Sequence, residues 1–155
     1  MTQFDDIQVL FVAGFGPIVK DIKKSKAFYA DILELPLKAL AQNNHYFLTE
    51  QDALSGVKHF ALWSLSDVAE CCFSASEWPQ DLPVPQAWID FEVADLKIAT
   101  QKLLNKGFHL FIANREEPWG QNVTRLLSPE GLLVGLTITP WLRDLKTAQA
   151  TQDFE

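Results

Sequence analysis

The sequence predicts an α+β domain in which two βαβββ modules form curved mixed sheets around a cleft. Three observations lead there. The order β-α-β-β-β occurs twice, with Asp21 and Asp95 standing as helix caps at equivalent places 74 residues apart. The segment 88–93, Trp-Ile-Asp-Phe-Glu-Val, alternates strictly, as a strand with one apolar face does. The chain of 155 residues suits one domain, and its repeat of ~75 residues is too long for a solenoid unit. It reads as a duplicated module. Four strands with one helix leave the other sheet face uncovered, and two such sheets curve together into a cleft.

Module one spans about residues 9–73. Its first strand, 11–19, leads to Asp21, which caps a helix marked by Ile22, Phe28, Tyr29, Ile32 and Leu33 at helical spacing. Pro36 stops that helix. Shorter strands are predicted at 37–41, 45–49 and 58–65. Cys71 and Cys72 read as small buried hydrophobes in a short helix, since adjacent cysteines form no ordinary disulfide. A connector, 74–86, follows, with Trp78-Pro79 and Pro83-Val-Pro85 marking irregular chain.

Module two spans about 87–140. After strand 88–93, Asp95 caps a helix with Ile98, Ala99, Leu103 and Leu104 inward, and Lys102 and Lys106 lie near its end at Gly107. Strands are predicted at 108–113, 123–127 and 132–138, the last two joined by the turn Ser128-Pro-Glu-Gly131. The polar tail 146–155 is expected to fray.

Composition excludes several classes. With 48% hydrophobic residues, including 11 Phe and 5 Trp, disorder is ruled out. No apolar run reaches the ~18 residues of a membrane span, so no membrane partner is expected. The apolar stretch 9–19 follows Asp5 and Asp6 rather than a basic leader, so no secretory signal is read there. The net charge of −7 repels phosphate backbones, which excludes nucleic acid. Two adjacent cysteines without zinc spacing fit a reducing cytoplasm, the expected location.

Three segments then form an ordered set. The stretch 19–35 carries Phe28-Tyr29 on its helix, Val93-Ala-Asp-Leu96 repeats that strand-to-helix passage, and Pro118-Trp-Gly120 precedes Ser128-Pro-Glu-Gly131. Together they resemble the glyoxalase/bleomycin-resistance/extradiol-dioxygenase superfamily, the vicinal oxygen chelate proteins, on the side of its metal-free bleomycin-resistance-like branch. Ser128 stands where the family usually has Asp. The resemblance implies one glyoxalase-like domain over 1–155, commonly as a homodimer. It also implies a divalent metal in the cleft of the enzymes, held by His, Gln or Glu from the first and last strands of each module. Carried onto this chain, those positions fall on Gly14, Trp88 and Gly135, with the fourth near Trp63. None of the first three offers a side-chain lone pair, and His59 adds one donor where several are needed. No metal, no cofactor and no catalytic residue are expected.

Parity places Trp88, Asp90 and Glu92 on the cleft side of their strand, with Ile89, Phe91 and Val93 against the helix. His59, Ala61 and Trp63 are expected to face the cleft from module one, and the resemblance implies that the loop of Trp119 borders it. Aromatic faces stack on rings and attract cations, and carboxylates add charge complementarity. The expected activity is therefore sequestration of a small organic molecule, aromatic or cationic, at Trp88, Trp63, Asp90, Glu92, His59 and Trp119. Alternative roles stay open: Trp63 and Trp88 as interface packing, Asp90 and Glu92 as solvated charges, and Arg125 in a surface ion pair. A second reading is a metal-dependent lyase, isomerase or dioxygenase of the same superfamily, using His59 and Glu92. A third is a domain whose cleft is filled by its own side chains and which serves only to dimerise.

Overall fold

A computed structural model describes residues 7–143. Strand β1 (Val9–Val19) is followed by α1 (Ile22–Lys26), which continues as a π-helical stretch, Ala27–Ile32. Then come β2 (Leu37–Leu40), β3 (Asn43–Thr49), β4 (Ala61–Ser64) and α2 (Leu65–Phe73). Module two supplies β5 (Ala87–Val93), α3 (Leu96–Asn105), β6 (Ile112–Glu116), β7 (Asn122–Leu127) and β8 (Leu133–Ile138). The tail 146–155 lies outside the described residues.

The eight strands make one curved sheet in the order β2-β3-β4-β1-β5-β8-β7-β6. Within each module the first and last strands run parallel, β1 with β4 and β5 with β8. The modules meet where β1 and β5 pair antiparallel, from Val9 opposite Val93 to Pro17 opposite Ala87. The two first strands therefore occupy the centre of the sheet.

Both predicted caps form. The Asp21 carboxylate accepts from the Lys24 amide at 3.2 Å, and the Asp95 carboxylate from the Ile98 amide at 3.1 Å. Asp95→Ala is expected to lower stability by about 1 kcal/mol. Urea denaturation should show this as a lower midpoint with an unchanged slope.

The outer face carries α1 and α3. Under α3, Val93, Leu96, Ala99 and Leu136 are buried together, with Phe91, Leu103, Val134 and Ile138 packed around them. The parity reading of β5 holds for Phe91 and Val93, which pack under α3, whereas Ile89 lies beside Val12 and Phe15. Under α1, Tyr29 meets Phe60, which packs edge-on to Phe15 with ring centroids 5.4 Å apart.

The inner face departs from an open cleft. The run predicted as one strand, 58–65, yields its strand only from Ala61. At Ser64 the chain turns, because that hydroxyl accepts from the Asp67 amide and caps α2. This short helix carries the cysteine pair, but of the two residues expected to be buried only Cys72 is; Cys71 is partly exposed. On α2, Val68, Ala69 and Cys72, with Trp78 from the connector, pack on Ile18, Ala61, Trp88, Ile112, Val123 and Leu133. The larger of the two cores thus lies where the half-sheets were expected to leave space. The strand predicted at 108–113 forms at Ile112–Glu116 instead. Phe111 is taken into packing with Phe73 and Trp78, and an irregularity at Asn114 (φ 51°) carries the pairing onward.

Candidate functional site

The pairings of β5, β8 and β7 bring one set of side chains to the middle of the inner face. Asp90 stands opposite Gly135, which stands opposite Arg125. The Arg125 guanidinium reaches across that glycine and donates to the Asp90 carboxylate at 2.9 Å. Both side chains are buried, at 3% exposure for Arg125 and 7% for Asp90. A Cβ on Gly135 would fall inside contact distance of both partners, so the missing side chain is what admits the ion pair. Burial alone would lower the arginine's pKa. The charge of the Asp90 carboxylate leads the opposing effects, which hold it above its ordinary value.

Aromatic rings enclose the pair. Arg125 lies over the Trp63 ring, 5.1 Å from its centroid, and Trp63 meets Trp88 edge-on at 5.9 Å. The Trp88 indole N–H donates to the Ala61 carbonyl at 3.2 Å. A Cβ on Gly14 would come within 3.0 Å of the Trp88 ring, so this glycine makes room for the indole. His59 and Tyr46 share a hydrogen bond of 2.8 Å between Nε2 and the phenol oxygen. Burial lowers the His59 pKa against the opposing pull of Asp90, so the imidazole favours its neutral form. Burial and then Asp90 raise the Tyr46 pKa, and this phenol stays protonated.

Each predicted site residue can now be placed. Trp88, Asp90 and Glu92 share the inner face, as alternation required, but each is surrounded by protein. Glu92 is fully buried, accepts from the Thr137 hydroxyl at 2.8 Å and from the Thr139 amide, and lies 3.6 Å from the Arg143 guanidinium. The structure therefore corrects the alternative of solvated carboxylates: both are partnered inside the core. Trp63 and His59 join the same aromatic group. Trp119 stands apart at 55% exposure, its indole donating to Gln121, which in turn donates to Thr139. Arg125, expected at the surface, is the buried partner of Asp90. Its signal was its place between Val123 and Leu127 on the inner side of β7, opposite a glycine. Tyr46 and Arg115 carried no such signal.

A metal fits poorly here. Gly14, Trp88 and Gly135 donate nothing, and the space beside them is taken by an indole and a guanidinium. Among the described residues no three His, Cys, Asp or Glu side chains gather at a point. A fixed cation already faces Asp90.

The family model of the glyoxalase-like domain matches residues 14–138. The chain belongs to that family. Solved structures agree with this glyoxalase-like fold at low identity. One is a glyoxalase/bleomycin resistance protein/dioxygenase superfamily member from Vibrio splendidus 12B01, with TM-score 0.53 and 16% identity over 79% of this chain and 94% of that one. Another is methylmalonyl-CoA epimerase from Mycobacterium tuberculosis, with TM-score 0.54 and 18% identity over 87% and 92%. A third is an extradiol ring-cleaving dioxygenase from B. fuscum, with TM-score 0.53 and 16% identity over 83% of this chain and 32% of that one. No curated protein matches. Relatives of such different chemistry share the glyoxalase-like scaffold, so function has to be argued from the site.

Proposed function

We propose that this glyoxalase-like chain binds a small organic molecule without a metal and does not transform it. The observation that carries this reading is the Asp90–Arg125 pair, set against Gly135 in the middle of the inner face. It occupies ground that the resemblance assigns to a divalent cation, among positions that have lost their donors. The two expected ligand classes are no longer equal. Asp90 is spent on Arg125, and Glu92 on Thr137, Thr139 and Arg143, which leaves neither carboxylate for a cationic guest. Trp63 is only partly buried, so an aromatic guest that stacks on its ring is favoured. Trp88 and His59 support that contact, while Trp119 lies apart from it.

The same proposal makes the chain a homodimer of the reducing cytoplasm with no nucleic-acid partner. Exposed Val12 and Phe15 on the outer face, free Cys71 and Cys72, and the acidic balance support it.

The test is thermal unfolding of the purified full chain against a panel of aromatic and cationic compounds, with elemental analysis alongside. An aromatic ligand at 100 times its dissociation constant should add about 2.7 kcal/mol of stability. Trp63→Leu should lose that gain. One tightly held divalent metal per chain, with activity lost to chelator, would overturn the proposal in favour of the lyase, isomerase or dioxygenase reading. No shift across the panel would leave the self-filled, dimerising domain.

A further inference from the structure

The concave packing creates a second cluster, at the rim, that binding of an aromatic guest does not use. Cys71 lies on α2, partly exposed, while its neighbour Cys72 is buried. The Arg115 guanidinium on β6 donates to the Cys71 carbonyl at 2.8 Å and stands 3.2 Å from its sulfur. The same nitrogen is 2.9 Å from the buried Glu117 carboxylate, which lies 3.6 Å from the thiol. Arg125 adds positive charge from β7, and its Nε is buried without a hydrogen-bond partner. Arg115 and Glu117 thus contact a thiol with an open side.

We propose that Cys71 is a nucleophilic site that accepts a thiol group from a low-molecular-weight disulfide. The Cys71 thiolate attacks one sulfur of the disulfide and forms a new S–S bond while the original S–S bond breaks. The departing thiolate takes a proton from solvent. Cys71 is oxidised to the mixed disulfide and the released half is reduced to a thiol. Attack is fastest for a thiol that ionises near ambient pH, because a more acidic thiolate is a weaker nucleophile.

The surroundings meet that condition. The adjacent Cys72 side chain lowers the Cys71 pKa to about 7. Burial and Glu117 oppose this shift, and Arg125 and Arg115 support it. Cys72 moves upward, through that same interaction and through burial, and stays protonated. It does not resolve the adduct: a bridge between adjacent cysteines does not fit helical backbone, and α2 would have to unwind. Cys72 and Arg115 are positioning residues, and only Cys71 reacts.

The experiment treats the full chain with glutathione disulfide and reads intact mass, while an aromatic disulfide reagent gives the rate from pH 5.5 to 9. One adduct per chain is expected, at Cys71, with the rate half-maximal near pH 7. Cys71→Ser should carry none. Cys72→Ala should slow the reaction about threefold at pH 7, as the thiol returns toward its ordinary pKa of about 8.5 and the smaller thiolate fraction outweighs the gain in nucleophilicity. Cys72→Ser keeps a hydroxyl donor and should restore most of the rate, which a purely structural role would not produce. A midpoint near 8.5 in the native chain, an adduct at Cys72, or reaction only after denaturation would each overturn the proposal.

Discussion

Asp90→Ala is expected to lower the free energy of unfolding by about 3–5 kcal/mol, the cost of breaking a buried ion pair from one side. The loss is large because of what remains behind. Arg125 stays charged at every accessible pH, its Nε already has no partner, and Asp90 is the carboxylate it meets in the core. The Trp63 face alone cannot replace the hydration that the guanidinium gave up on folding. Asp90→Asn keeps an oxygen acceptor in the same place and should cost less.

The companion experiment separates an orphaned charge from lost packing. Asp90→Leu combined with Arg125→Met removes both charges and keeps most of the volume, and it should recover most of the single-variant loss. Urea unfolding followed by tryptophan fluorescence reads all four proteins, because Trp63 and Trp88 lie beside the pair. A single-variant loss below about 1 kcal/mol would mean that the pair behaves as an exposed one and that Arg125 swings out to water. Asp90 would then be free to face a metal ion.

Much of this architecture was legible in the sequence, for reasons that particular residues make clear. The alternation from Trp88 to Val93 fixes which side chains oppose α3, because strand geometry leaves no other choice. Asp21 and Asp95 mark both helix starts, since a cap is a local bond needing no tertiary context. What stayed hidden was which surface a helix covers. Leu65, Val68, Ala69 and Cys72 form the same apolar stripe whether α2 packs on the outer face or the inner one. Helical spacing specifies a stripe and says nothing of its partner.

The same gap explains the candidate site. Placing Trp88, Asp90 and Glu92 together needed parity alone. Seeing that the ground before them was filled needed the long-range packing of α2 and Trp78. Residue type alone suggests a surface charge at Arg125, whereas its apolar neighbours on β7 point inward. Within a strand the position is the stronger guide, because a charge set between inward residues must find a partner or unfold the sheet.

The closeness of β1 to β4 within module one leads to the other large effect: Gly16→Ala is expected to cost about 3 kcal/mol or more. Gly16 pairs with Trp88 on β5, and on its other side a Cβ would press into the Ala61 carbonyl of β4. That oxygen already accepts from the Trp88 indole. Because the obstacle is backbone, no rotamer change relieves it. β4 must move away from β1, which strains the Phe15 amide bond to the His59 carbonyl and the pairing of Ile18 with Trp63. Gly14→Ala offers the control. There the nearest obstacle is the tip of the Trp88 ring at 3.0 Å, with the His59 carbonyl at 3.1 Å, and shifts of a few tenths of an ångström accommodate it. The urea midpoint should therefore fall much further for Gly16→Ala than for Gly14→Ala. Equal midpoints would show that β1 and β4 are farther apart than this packing requires, and that Trp88 is seated without the support of the Ala61 carbonyl.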